Sequence, residues 1–329
     1  MKNSEPVVSI IIPNWNGKHL LKTCLTSIQK QTFKEFEIIL IDNGSVDGSV
    51  NYVNRFFSKV KIISLNKNYG FARAVNLGIK AAKGNFVVLI NNDTEVEKDC
   101  LKYLVETARI HPEVGFVATK MLNFYKRNEI DSAGDYIDIV GHANNIGLGE
   151  EDGPKFNEAG FVFLITGGGG LFKRIVFEKV GFFDEDYFAY MEDVDLCLRS
   201  QFQGFKGWYE PRAIIYHIHK ATSSKNLAFL EYLQFRNMTQ TIIKDFPTSI
   251  LLKKWRWLKI ILVHFNTIFY QLKNGFWWAP FLADLWILFH LPHLLKERKR
   301  IQSSRKVSDE YIESFLKEKK ITFWGLFKA

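Results

Sequence analysis

Cysteine is scarce in this chain of 329 residues, and the three present, Cys24, Cys100 and Cys197, stand far apart with no CxxC spacing. That pattern excludes a disulfide framework and a thiolate metal site, and it suits a reducing compartment. No GxGxxG follows the first apolar run, and no GxxxxGK followed by Ser or Thr occurs, so the dinucleotide fingerprint and the P-loop are both missing. The opening MKNSEP enters a strand pattern directly, without an apolar leader. An uninterrupted apolar stretch of about 20 residues is also lacking, because Lys273 and Asp284 break the most apolar region, and no membrane-spanning helix is expected. Net charge is absent from most of the molecule. Residues 1–250 carry 29 Lys and Arg against 29 Asp and Glu, whereas residues 251–329 carry 15 against 6 and supply the whole net charge of +9. A nucleic-acid-binding surface is therefore not expected.

What the chain contains is an alternation of strand and helix patterns. Val7 to Ile12 (VVSIII) is a short, largely β-branched run stopped by Pro13, the signature of a strand buried on both faces. Leu20, Leu21, Leu25 and Ile28 then recur at helical spacing. Apolar runs at Phe36 to Ile41, Val60 to Leu65 and Asn85 to Ile90 alternate with helical stretches around Val50 to Phe57 and over Phe71 to Lys83. This order predicts an α/β fold, a Rossmann-like, mostly parallel sheet flanked by helices. Ligands of such sheets sit beyond the carboxyl ends of the strands. Here those ends read Pro13-Asn14-Trp15-Asn16, Asp42-Asn43, Asn66 to Gly70 and Asn91-Asn92-Asp93. Asn, Asp and Gly are ordinary turn residues, but four successive strands ending this way mark the edge as a candidate nucleotide site. A nucleotide there needs a carboxylate for base or ribose and a divalent cation for the diphosphate.

The densest chemistry lies in Gly181 to Gln201 (GFFDEDYFAYMEDVDLCLRSQ), where Asp184, Glu185, Asp186, Glu192, Asp193 and Asp195 stand among aromatic rings. Carboxylates desolvated by such rings have raised pKa values and suit base catalysis near neutral pH. A solvated helix start explains the same composition, since acids favour the first turn. Asp195 and Arg199, at i and i+4, are expected to pair within a helix.

Taken together, PNWNG, IDNGSVDGS, NYGFARAVNLGI, LINNDTEV, GFFDE with YMEDVDLCLR, and YEPRAIIYHIHKATS resemble, in order and spacing, the family 2 glycosyltransferases of the GT-A fold, most closely the rhamnosyltransferase-like branch. The resemblance covers about residues 7–240. It implies an inverting transferase that moves a sugar, hexose or deoxyhexose, from a UDP- or dTDP-linked donor, with rhamnose as one option, to a glycan or lipid-linked acceptor in cell-surface polysaccharide synthesis. Pro13, Asn14 and Asn16 would line the nucleotide pocket and Asp42 would bind base or ribose. Asn68, Gly70 and Arg73 would lie near base and diphosphate, with Asn92 and, in the glycine run Gly167 to Gly170, Gly168 close to the nucleotide sugar. Asn91-Asn92-Asp93 stands where the family has its DxD-type motif, so Mg2+ or Mn2+ would be held by Asp93, Asn91 and His217, the last preferred over His219. Asp193 would be the base, with Glu192 in support.

Residues 121–160 are rich in Asn, Asp and Gly and read either as a mobile excursion over the site or as a surface loop. The expected division is a catalytic domain over 1–248, with a nucleotide-sugar half to about 120 and an acceptor half beyond it, and a helical appendage over 249–329. That tail holds six of the eight tryptophans and the basic KERKR. It suits either packing against protein or a peripheral position on an anionic membrane surface, which would be the cytoplasmic face of the cell membrane. A sugar-nucleotide pyrophosphorylase and a non-catalytic carbohydrate-binding module on the same fold are the rival functions.

Overall fold

The computed structural model describes residues 5–218, 227–276 and 278–318. The chain forms two compact units, Met1–Asp135 with Asn145–Thr222, and Tyr136–Asn144 with Ser223–Ala329. The first unit begins with β1 (Val8–Asn14), α1 (Lys18–Gln29), β2 (Phe36–Asp42), α2 (Ser49–Phe56), β3 (Lys61–Ser64), α3 (Phe71–Ala81) and β4 (Phe86–Ile90). Their order in the sheet is β4-β1-β2-β3, all parallel. Ile10, Ile11, Ile39, Leu40, Val88 and Leu89 are fully buried, as runs without a polar face require.

The sheet continues through β5 (Thr94–Val96), α4 (Cys100–Ile110), β6 (Val114–Asn123) and β7 (Ile130–Ser132). After β8 (Asp135–Ile137) and β9 (Ala143–Asn145) come β10 (Gly160–Val162), β11 (Gly169–Lys173), α5 (Arg174–Val180), α6 (Glu192–Phe202) and β12 (Lys206–His217). β11 runs antiparallel between β4 and β6, and β12 lies parallel to β6 while pairing antiparallel with β5. The mostly parallel sheet expected from the sequence is therefore present, with an antiparallel insertion that brings the glycine run alongside β4.

The segment 121–160 is folded rather than a loose excursion. Met121, Leu122, Ile130, Asp131 and Ser132 are buried, and β7 pairs with β6. Residues 136–144 belong to the second unit, where Ile139 N–H donates to Lys317 O at 3.1 Å and Lys317 N–H to Ile137 O at 3.2 Å.

The second unit also contains α7 (Leu227–Asp245), α8 (Thr248–Leu252), α9 (Arg256–Lys273), α10 (Trp278–Ser303) and α11 (Asp309–Phe315). The expected boundary at 248/249 moves to 222/223, because α7 packs with the tail: Arg298 donates to Ile243 O at 2.6 Å and Gln302 to Asp245 O at 2.8 Å. Composition hid this, since the tail's tryptophans and its net positive charge begin only after residue 250. The expectation that no helix could cross a membrane is also corrected. By length and composition α10 passes that test, because its one acidic residue in the apolar part, Asp284, interrupts the pattern without reversing it and is partnered by His264 at 3.3 Å.

In the first unit α6 is fixed by a buried ion pair, as its spacing foretold. Arg199 Nη2 lies 2.6 Å from Asp195 Oδ2, and the same guanidinium donates to Val180 O and Phe182 O. Removing the carboxylate would leave a buried, uncompensated cation. Asp195→Ala is expected to lower the unfolding free energy by about 3–5 kcal/mol in urea titrations; a loss under about 1 kcal/mol would show that α6 is held by packing alone.

Candidate active site

The carboxyl edge of the parallel strands is a buried amide and carboxylate network. Register places Asn14 opposite Asp42. Asn14 Nδ2 donates to Asp42 Oδ1 at 3.0 Å, and Asn92 Nδ2 donates to Asn14 Oδ1 at 2.7 Å. Asp42 Oδ2 accepts from Ser45 N–H, and Asn16, with φ of 50°, both accepts from Val46 N–H and donates its own N–H to Ser45 Oγ. Gly17 makes this closeness possible, since a Cβ there would stand 2.2 Å from Asn92 Nδ2. Pro13, paired with Ile41, ends the strand beside this network. The strand-three loop is tied in by Asn43, which donates to Asn68 Oδ1 and Gly70 O. Asn68 Oδ1 also accepts from Gly70 N–H, so its carbonyl serves the loop's own geometry. Arg73, half exposed, lies over the Tyr69 ring at 4.4 Å and 3.9 Å from Glu185.

Two further clusters meet at the glycine run. Asn91 N–H donates to Gly168 O at 2.9 Å, and a Cβ on Gly168 would fall 2.3 Å from Asn91 Nδ2. Immediately before it, Gly167 N–H donates to Asp193 Oδ2 at 2.8 Å, while Asp193 Oδ1 accepts from Val194 N–H. The backbone leading into α6 is strained: Phe188, Tyr190 and Met191 have φ of 64°, 70° and 70°. Burial raises the Asp193 carboxyl despite the N–H bonds from Gly167 and Val194. Glu192 is lifted well above the ordinary range by burial and by the neighbouring Asp193 charge, and its Oε2 is buried with no partner among the described residues. Asp184 caps the short turn before them by accepting from Asp186 N–H.

The third cluster is assembled by strand pairing. β5 and β12 set His217 opposite Thr94, which brings its imidazole Nε2 to 3.5 Å from Asp93 Oδ1. On its other side Nδ1 lies 2.7 Å from Asp131 Oδ2. Burial alone would lower the imidazole, but the hydrogen bond to Asp131 and the pairing with Asp93 prevail and push it up to about 9. A carboxylate fits a hard divalent cation and an imidazole a transition metal such as Mn2+, and Asp93 Oδ1 is buried without a hydrogen-bond donor among the described residues. Among the described residues no group of three or more His, Cys, Asp and Glu is placed to hold a metal ion. His219 lies outside the described residues.

Sequence reasoning passed over two acids. Asp131 orients His217, and Asp135, half-buried, accepts from Ser132 Oγ at 2.8 Å. Burial, then the charges of Asp193 and Asp131, push Asp135 up to about 8. The available signal was a pair of carboxylates bracketing Gly134 in DSAGD, a turn whose φ of 87° favours glycine.

The sequence profile described as Glycosyl transferase family 2 matches residues 9–181. The poly-beta-1,6-N-acetyl-D-glucosamine synthase of Staphylococcus epidermidis is 28% identical over 209 residues, covering 63% of this chain and 48% of that protein. This chain spans about half, or less, of the length of the curated relatives it matches. GalNAc-T7, solved with UDP, GalNAc and Mn2+, superposes with a TM-score of 0.62 at 16% identity, over 80% of this chain and 51% of that one. The mannosyltransferase PcManGT from Pyrobaculum calidifontis, in complex with GDP-Man and Mn2+, gives 0.54 at 16% identity, over 92% and 86%. These likenesses identify the fold as GT-A.

Asp135 provides a stability test. Its carboxyl titrates near 8 in the folded state against 3.8 ordinarily. Between those values the folded state binds more protons than the unfolded one, so the group's contribution to stability falls as pH rises, by up to about 1.4 kcal/mol per pH unit. Asp135→Asn is expected to match the parent at pH 4 and exceed its stability at pH 8 in urea melts. An unchanged difference between the two pH values would mean that Asp135 ionises normally.

Proposed function

The chain belongs to the family 2 glycosyltransferases, and we propose that it is an inverting, divalent-metal-dependent enzyme that moves a sugar from a nucleoside-diphosphate donor to a hydroxyl of a glycan or lipid-linked acceptor. The observation that carries this reading is the junction at the glycine run: Gly167 holds Asp193 and Gly168 holds Asn91, so the acidic helix start and the Asn91-Asn92-Asp93 loop meet across two adjacent residues. A base and a diphosphate site on opposite sides of one sugar are what inversion needs.

In this reading Asn14 and Asp42 receive the nucleoside, with Pro13 and Asn16 bordering it. Asn68, Gly70, Arg73, Asn92 and Gly168 shape the diphosphate and sugar side. Asp93 and His217, with Asn91 beside them, would hold Mg2+ or Mn2+, which supplies positive charge against the departing diphosphate. Asp193 takes the proton from the acceptor hydroxyl as it attacks the anomeric carbon from the face opposite the nucleotide. Its burial-raised pKa makes it a stronger base than a solvated aspartate. Glu192, kept protonated by burial, donates a hydrogen bond to a substrate hydroxyl. The donor class is UDP- or dTDP-linked, rhamnose included, and the process is cell-surface polysaccharide synthesis. The second unit holds the enzyme at the cytoplasmic face of the membrane, a role favoured by the apolar side chains that α9 and α10 expose, among them Leu262, Phe265, Phe269, Phe281, Leu288 and Phe289. The pyrophosphorylase alternative is set aside by the family match.

Incubation with UDP-, dTDP- and GDP-sugars plus Mn2+ tests the assignment. One donor should release nucleotide, whereas a carbohydrate-binding module would release none. Asp193→Asn is expected to lower transfer by about 10²–10⁴-fold while donor affinity is kept; near-parental turnover would remove Asp193 from the base role. Asp131→Asn should weaken Mn2+ binding by about 10–100-fold, read by electron paramagnetic resonance of the bound ion without turnover. Unaltered affinity would make the Asp131 bond to His217 purely architectural.

A further inference from the structure

The second unit carries an open surface cavity of about 420 Å³ with no part in the chemistry above. Arg298, Lys299 and Arg305 line it together with Thr248, Ser249 and Gln302, and no carboxylate is among its lining residues. Arg298 spends one N–H on Ile243 O and another on Thr248 Oγ1, which fixes the guanidinium and leaves further donors in its fork. Arg305 Nη2 pairs with Asp309 at 2.5 Å, and Asp309 also accepts from Ser249 Oγ. Arg305 Nη1 is buried with no hydrogen-bond partner among the described residues. Lys299 is exposed. Fixed guanidinium donors beside an ammonium are the chemistry that recognises phosphate oxygens.

The cavity's position on α10 selects the source of the phosphate. Leu295, half exposed, lines it, and one to two turns earlier the helix exposes Leu288 and Phe289. Immediately after Leu295 the sequence becomes KERKR. The helix thus changes from apolar to cationic along its axis at the level of the cavity, which is how headgroup and acyl chain are ordered in a lipid. We propose that this cavity binds the phosphate of an anionic membrane lipid, whose acyl chains lie along the exposed apolar part of α10. The assignment rests on the membrane position given to the second unit above and names the group that the unit would read there.

The test uses the full chain and sedimentation with vesicles of phosphatidylcholine alone or mixed with phosphatidylglycerol. Lys299→Ser and Lys296→Ser remove the same charge from exposed positions on one helix, but only Lys299 lines the cavity. The parent should prefer phosphatidylglycerol vesicles; Lys296→Ser should weaken that binding by about fivefold, the share of one Lys in the diffuse attraction, and Lys299→Ser, which also loses its place in the cavity, by about 25-fold. Equal losses in both variants would overturn the cavity as the site and leave the membrane position standing on diffuse charge. Inorganic diphosphate binding that depends on Lys299, without any preference for phosphatidylglycerol, would overturn the lipid source in favour of a soluble anion. Failure of the parent to bind either vesicle would overturn the membrane position itself, and the lipid assignment with it. Matching thermal unfolding of both variants and the parent confirms that the comparison reports binding.

Discussion

The site depends on a backbone contact that no side chain could share. Gly167 gives its N–H to Asp193, and Gly168 gives its carbonyl to Asn91 N–H while its Cα lies against the Asn91 side chain. A methyl group at Gly168 would meet the Asn91 side-chain amide, so that side chain would have to leave its place against the glycine run. A misplacement of about an ångström at a reacting centre costs on the order of 10²-fold in rate. The antiparallel insertion of β11 between β4 and β6 delivers these two glycines to that point.

Around this joint, the structure holds acids in unfavourable surroundings and offsets the cost elsewhere. Glu192, Asp193 and Asp135 all have raised carboxyl pKa values from burial. Three non-glycine residues before α6 occupy left-handed backbone. The Asp195 and Arg199 pair and the guanidinium's bonds to Val180 O and Phe182 O secure the helix that carries this strain. Strain and desolvation gathered at one helix start are what a base poised near neutral pH requires. Asp131 and Asp135, four residues apart about a glycine turn, connect the His217 side of the site to the Asp193 side.

The second unit follows a different logic. Its buried surface lies mainly between α7 and α10, whereas α9 and the first part of α10 turn large apolar side chains outward. Charge is placed by position along the chain: after Leu295, Lys296, Arg298, Lys299 and Arg300 follow within one and a half turns. Arg298 is drawn inward onto the Ile243 carbonyl of α7 and the Thr248 hydroxyl of α8, so part of the basic run is structural and part faces outward.

Much of this was legible in the sequence. Buried β-branched runs gave the parallel sheet, and helical spacing gave the Asp195 and Arg199 pair, because strand and helix periodicities are local properties of the chain. Asn14 opposite Asp42 follows from two parallel strands that end alike. Other features were decided by tertiary structure alone. Asp131 and Asp135 sit in a segment whose composition matched a surface loop, and only the pairing of β7 with β6 carries Asp131 to His217. Asn68 lay in the right loop, yet its carbonyl is taken by Asn43 and Gly70. The boundary at residue 222 was invisible because α7, without tryptophan or net charge, matches the chain before it in composition and is set apart only by what it packs against. The sequence determined which residue types could do the chemistry and on which elements they stand; the fold decided which of them meet, since contacts across 25 to 109 residues of chain are set by strand order and register, which no local pattern encodes.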